Sequence, residues 1–198
     1  MRIFLAGASG VIGMRLVPLL VADGHTVAGM TRTQAKAAAL AQAGAEPVVC
    51  DVFDADGLRA AVSAFTPDLV MHQLTDLPDD AAQIGEFGDR NDRIRQEGTR
   101  NLLTAAAEAG VPGGRFLAQS IAWKLPGKRG ANTETFERQV LAAGGVIIRY
   151  GQLYGPGTYY PDPDAPPPPP RVAVDEAARA TVGLLQAEPG VVEVVEPA

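Results

Sequence analysis

The stretch Arg2-Ile3-Phe4-Leu5-Ala6-Gly7-Ala8-Ser9-Gly10-Val11-Ile12-Gly13 decides how the rest of the chain is read. Arg2 to Ala6 is a short apolar run rich in β-formers, the pattern of a buried strand. Three glycines follow at once with Gly-x-x-Gly-x-x-Gly spacing. Val11, Ile12, Leu16, Leu19 and Leu20 then fall near helical periodicity, so a strand passes directly into a helix. Pro18 lies inside that run and predicts a kink or a local repair. The glycines have separate jobs. Gly7 permits the tight turn, Gly10 lets a phosphate approach the backbone, and Gly13 lets the helix pack closely on the strand. The helix start offers free N–H groups and a positive dipole end to a pyrophosphate. With a strand before it and a helix after it, this loop reads as a dinucleotide site.

Working outward, the same alternation continues. Thr26–Met30 is a second strand, and Thr33 N-caps an alanine-rich helix to about Ala43 that Gly44 closes. Glu46–Cys50 is a third strand, Asp54–Ala64 a third helix and Asp68–His72 a fourth strand. Leu74–Asp89 is acidic, interrupted by Pro78, Gly85 and Gly88, and reads as a loop, of a length that is commonly functional. Arg90–Ala109 is a long helix, Arg115–Ser120 a fifth strand, Ile121–Thr133 an irregular basic segment, Glu134–Ala143 a fifth helix and Val146–Tyr150 a sixth strand. Repeated strand–helix alternation with short connections predicts an α/β fold, a Rossmann-like doubly wound parallel sheet. Residues 1–157 form that domain. In 158–198 a proline-rich linker, with Pro166–Pro170 extended as a spacer, leads to a helix over Val174–Gln186 and a strand over Val191–Val195, a reduced cap on the same globule.

At 198 residues, 46% hydrophobic and 20% charged, the chain has the balance of one globular domain. No apolar run is long enough to span a bilayer, and the first one is cut by glycines, unlike a signal peptide. Cys50 is the single cysteine and has no internal disulfide partner, which fits a reducing cytoplasm. A net charge of −6 argues against a nucleic-acid surface. Two histidines and one cysteine, far apart, give no metal-ligand spacing.

These motifs, in this order, resemble the short-chain dehydrogenase/reductase superfamily, and most closely its extended and atypical branch, the NAD(P)-dependent epimerase/dehydratase family. Gly7, Ser9, Gly10, Val11, Ile12 and Gly13 look like the cofactor loop of that branch. Asp51-Val52 looks like the pair that contacts the adenine, and His72-Gln73-Leu74 sits where the family passes behind the nicotinamide ribose. Gly98-Thr99-Arg100-Asn101-Leu102-Leu103 is similar to its long-helix signature. Arg149 to Gly157 is similar to the segment bordering nicotinamide and substrate, and Val174-Asp175-Glu176-Ala177-Ala178 to the start of the cap helix. The resemblance implies a small-molecule substrate and a homodimer formed through helices 90–109 and 134–143. Charge argues for the cofactor. A carboxylate ending the second strand would bind a ribose 2′-hydroxyl, but this chain has Arg32 there, flanked by Thr31 and Thr33, with Lys36 one turn on. A guanidinium fork suits a 2′-phosphate, so NADP(H) is expected over NAD(H).

The superfamily's reductive chemistry uses a tyrosine, a lysine four residues later and a serine. Without help a tyrosine titrates near ~10, too high for a base at neutral pH. Ser120 matches the serine, but no tyrosine lies between Ser120 and Tyr150, and Arg129 and Thr133 fall near the expected tyrosine and lysine positions. Tyr154 and Lys124 are the substitutes to test, with Ser120 at the substrate carbonyl. Tyr150, Lys128, Trp123, His72 and Arg95 are weaker candidates. The sequence therefore leaves three readings open: an epimerase/dehydratase-like oxidoreductase, such as a tailoring enzyme of secondary metabolism; a cofactor-independent cyclase, isomerase or lyase; and a non-catalytic NADP(H)-sensing regulator.

Overall fold

A computed structural model describes residues 1–78, 80–112 and 115–197. Strands β1 (Arg2–Ala6), β2 (Thr26–Thr31), β3 (Glu46–Val49), β4 (Leu69–His72), β5 (Phe116–Ile121), β6 (Val146–Tyr150) and β9 (Gly190–Val194) form one parallel sheet in the order β3-β2-β1-β4-β5-β6-β9. Leu5 sits between Gly29 of β2 and Met71 of β4, which fixes the register at the centre. The strands are apolar on both sides because helices cover both faces. Helices α1 (Gly13–Ala22), α2 (Gln34–Gln42) and α7 (Val174–Gly183) bury Leu16, Leu20, Leu40 and Ala177 against Ile3, Leu5, Met71 and Ile148. Helices α3 (Ala55–Phe65), α5 (Thr99–Glu108) and α6 (Gly127–Ala142) bury Leu58, Val62, Leu102 and Phe136 against Phe4, Val70, Ala118 and Ile147.

The sheet order contains the feature that positions a site. From β1 the chain runs outward through β2 to β3, then crosses back to β4 on the other side of β1. Connections leave the carboxyl ends of β1 and β4 in opposite directions, and a crevice opens there. Ligands of doubly wound sheets bind at such a switch point.

Several boundaries differ from the sequence reading. The segment 121–133 is not wholly irregular, since α6 begins at Gly127. The helix expected over 90–109 is three pieces: α4 (Gly88–Arg93), a π-helical turn (Ile94–Gly98) and α5. Thr33 stands at the N-cap of α2, but its side chain makes no capping bond, whereas Asp54 caps α3 by accepting from the Gly57 amide at 3.0 Å. Helix α1 runs through Pro18, which is exposed. Two short strands, β7 (Gln152–Tyr154) and β8 (Arg171–Ala173), pair in parallel and were unforeseen. The segment 158–198 is more than a cap on the sheet: its last strand, β9, pairs with β6. The proline tract bends at 168–170 and is tied back by Gln152 Nε2 to the Pro168 carbonyl (2.9 Å). No described helix is long and apolar enough to cross a membrane.

Candidate functional site

The glycine loop lies directly over the β1–β4 crevice. Gly7 has φ +87°, and a Cβ there would lie 2.5 Å from the Gln73 carbonyl oxygen. A Cβ on Gly13 would lie 2.3 Å from the Gly7 oxygen. Gly10 has more room, with one contact at 3.3 Å, so its outer side is open to a ligand. The Gln73 amide donates to the Ala6 carbonyl (2.8 Å) and the Ala8 amide to the Met30 carbonyl (3.2 Å), which lock the loop between β2 and β4. Ser9 Oγ and Thr31 Oγ1 share a hydrogen bond of 2.9 Å, joining two of the expected cofactor residues. Gln73 is buried and gives its Nε2 to the Tyr150 hydroxyl at 3.4 Å, while its Oε1 has no partner among the described residues. A cradle that side chains would fill, beside an unsatisfied buried amide oxygen, fits a nicotinamide dinucleotide.

Where the resemblance puts the adenine, Val52 is buried against Gly98, and its carbonyl accepts from Asn101 Nδ2 at 2.9 Å. The Asp51 carboxylate accepts from the Phe53 amide at 3.0 Å. Lys36 is exposed in the first turn of α2. Arg32 stands at the end of β2 as expected, but it has a partner that sequence reasoning missed. Its Nη2 lies 3.5 Å from Asp76 Oδ1, and Arg90 forks the same carboxylate with two bonds of 3.0 Å.

At the reaction end the three catalytic candidates are not brought together. The Ser120 hydroxyl donates to Glu137 Oε1 at 2.6 Å, inside the packing of α6 on the sheet. Glu137 is in turn forked by Arg149 at 3.0 and 2.7 Å. Tyr154 donates to Glu196, which Arg171 also holds, and that bond raises the pKa of the phenol. Lys124 is exposed beyond β5, as is Trp123. Tyr150 lies in the core, bonded to Thr181 at 2.6 Å, and burial pushes it up to about 12, the wrong direction for a base. The positions where the family carries tyrosine and lysine are also occupied structurally. Arg129 donates to the Gly85 carbonyl (2.7 Å), and Thr133 accepts from Arg95 (2.7 Å). Glu137, Asp76 and Arg90 are the additions of the structure; only the acidity of the loop and the four-residue step from Thr133 to Glu137 hinted at them.

His72 is structural too. Its Nδ1 accepts from the Leu74 amide (3.2 Å), which leaves Nε2 to donate to Thr99 (3.0 Å). Burial, aided by the Arg95 charge, lowers its pKa to about 3. The unfolded chain takes up this proton near pH 6.5 and the folded chain does not. The neutral ring's contribution is therefore complete above about 6.5 and falls toward pH 3, by up to about 1.4 kcal/mol per pH unit. Urea unfolding of wild type and His72→Gln across this range should show the stability gap narrowing as pH falls; a constant gap would refute the assignment.

Comparison with known proteins agrees with this geometry. Residues 7–144 match a protein-family model described as NAD(P)H-binding. A Streptomyces protein named 3-diazoavenalumate denitrifying reductase is 36% identical over 191 residues, covering 81% of this chain and 59% of its own length. A Mycobacterium tuberculosis 3 beta-hydroxysteroid dehydrogenase/Delta 5→4-isomerase is 32% identical over 121 residues, covering 60% of this chain and 31% of that protein. The chain thus spans less than two thirds of either relative. Among solved structures, the UDP-glucose 4-epimerase of Thermus thermophilus in complex with NAD superposes with TM-score 0.81 at 20% identity, over 100% of this chain and 78% of that one. A Burkholderia cenocepacia short chain dehydrogenase in complex with NADP gives 0.77 at 18% identity, over 98% and 88%. Likeness at that identity concerns the fold alone.

Proposed function

Because the chain belongs to the NAD(P)H-binding branch of the short-chain dehydrogenase/reductase superfamily, we propose that it is an NADP(H)-dependent reductase of a small electrophile whose reduction needs no protein acid. The observation that carries this reading is the engagement of the hydroxyls at the reaction end: Ser120 with Glu137, Thr133 with Arg95, Tyr150 with Thr181 and Tyr154 with Glu196. A carbonyl oxygen that gains negative charge needs a proton donor. A substrate whose acceptor atom already carries positive charge does not. The name of the Streptomyces relative gives a diazo compound and a denitrifying reduction, and an aryl diazonium acid is the matching class for this chain, as in a tailoring step of secondary metabolism. When bound, NADPH supplies one hydride, which converts Ar–N2⁺ to Ar–H and N2 with NADP⁺ as the other product, so atoms and charge balance without a proton.

The protein's part is to bind and orient. The N–H groups of Val11, Ile12 and Gly13 are assigned to the pyrophosphate, since the Gly10 N–H is given to the Gly7 carbonyl at 3.0 Å, and Arg32 is assigned to the 2′-phosphate. The Gln73 carboxamide oxygen, without a partner among the described residues, is the acceptor this reading assigns to the cofactor. Lys124, exposed after β5, and Lys128, exposed in the first turn of α6, are the positive charges this reading assigns to the substrate carboxylate on a chain that is otherwise net acidic.

The test is a diazotised aminobenzoate with NADPH, against NADPH alone. Benzoate and NADP⁺ should form in equal amounts, faster with protein than without it. Binding of NADPH with no acceleration favours the sensing regulator. Conversion that proceeds without NADPH favours a cofactor-independent enzyme, and either result overturns the reductase.

A further inference from the structure

Asp76 sits in a position that an anion from outside would also choose. Both of its carboxylate oxygens accept from Arg90, and Arg32 approaches from the end of β2. Its side chain is only 10% exposed, while those of Arg32 and Arg90 are 45% and 54% exposed. Arg90 is further fixed by stacking over Phe87 at 4.4 Å, and the Asp76 amide donates to Asn91 Oδ1 at 3.1 Å. Arg32 directly follows Thr31, which is bonded to Ser9 of the glycine loop. Two guanidiniums therefore converge beside the adenosine end of the crevice, hold one internal carboxylate and, among the described residues, keep open N–H groups and one surplus positive charge.

We infer that Asp76 occupies the seat of the cofactor's 2′-phosphate and is displaced by it, so that Asp76, Arg32 and Arg90 together decide which nicotinamide cofactor is held. The inference rests on the reading that the crevice takes NADP(H). A phosphate ester presents more charge and more acceptor oxygens to two guanidinium forks than one carboxylate does, so it can replace Asp76. A 2′-hydroxyl is uncharged and cannot. NADPH thus binds with the segment 74–78 released, and NADH binds with it in place. Tyr159 reaches across to the Pro78 carbonyl, so release of this segment also loosens the chain that follows β7.

Calorimetry with NADPH, NADH and 2′-AMP separates the terms, because 2′-AMP carries the phosphate without the nicotinamide. Asp76→Asn removes the internal competitor and should tighten NADPH and 2′-AMP about tenfold while leaving NADH within about twofold. Arg90→Met should weaken NADPH and 2′-AMP about tenfold, again sparing NADH. Amide hydrogen exchange over 74–78 should rise with NADPH and not with NADH. NADH binding is the internal control for folding; if Asp76→Asn fails it, Arg90→Met and the exchange measurement decide. Unchanged 2′-AMP affinity in either folded variant, or NADH weakened by Asp76→Asn, overturns the inference and leaves the reductase standing. A wild-type protein that binds neither nicotinamide cofactor removes both.

Discussion

A Gly7→Ala protein is expected to lose nicotinamide-cofactor binding by at least about 100-fold, the equivalent of about 3 kcal/mol. The added methyl meets two obstacles. The residue sits at φ +87°, a region that costs an L side chain roughly 1–2 kcal/mol. The Cβ would also lie 2.5 Å from the Gln73 oxygen and 2.9 Å from the Leu74 nitrogen, both backbone atoms, which no side-chain rotation relieves. Overpacking of this kind adds about 1–3 kcal/mol. Either β1 and β4 separate or the loop moves, and each displaces the amides that would bind pyrophosphate. Denaturant unfolding should show a loss of about 3 kcal/mol in stability. Gly10→Ala is the informative contrast. Its Cβ has a single contact, at 3.3 Å, so stability should stay within about 1 kcal/mol while the methyl occupies the space a phosphate needs. A Gly10→Ala protein that binds NADPH as tightly as wild type would show that no phosphate approaches this loop.

The same contrast explains what could be read from the sequence. Arg2–Gly13 was legible because a strand, three spaced glycines and a helix are local features, each with one physical cause. The parallel sheet with helices on both faces followed from alternation and short connections, whereas the order of its strands came only with the structure. The start of α6 was not legible. Gly127, Lys128, Arg129 and Gly130 look like a loop, and the turn is held by partners distant in sequence: Arg129 to Gly85, Asn132 to Asp92, and Thr133 to Arg95. The π-helical turn at Ile94–Gly98 belongs to the same contact, since it carries Arg95 and Gln96 toward α6. Arg32 was found by its place after β2, because position alone suffices for a charge at a strand end. Asp76 and Arg90 were missed because their pairing with it is tertiary. Ser120 was found by place but its direction was not legible: on β5 it alternates with Gln119, and only the fold shows that its side faces Glu137.

That direction makes Glu137 the most consequential side chain at the reaction end. Glu137→Ala should destabilise the protein by about 3 kcal/mol, because among the described residues it leaves Arg149 with only Glu193, at 3.7 Å, as a counter-charge and the Ser120 hydroxyl without its acceptor. The figure lies at the low end for a broken buried pair, since the Arg149 side chain is 35% exposed. Burial alone would raise the Glu137 pKa; the hydrogen bonds from Arg149 and Ser120, with the charges of Arg149 and Arg95, outweigh it and hold the carboxyl below its ordinary range. A depressed carboxyl contributes stability that is present above the unfolded-state pKa and lost as pH falls through the folded one. Wild type should therefore lose this contribution below about pH 4.5, and the variant should not. Ser120→Ala separates structure from chemistry. If the serine serves Glu137, its loss costs about 1–2 kcal/mol of stability and raises the pH at which the carboxyl titrates, while turnover with a diazonium substrate continues. Loss of turnover at unchanged stability would make Ser120 a proton donor to the substrate, and the acid-free reduction proposed for this site would then be wrong.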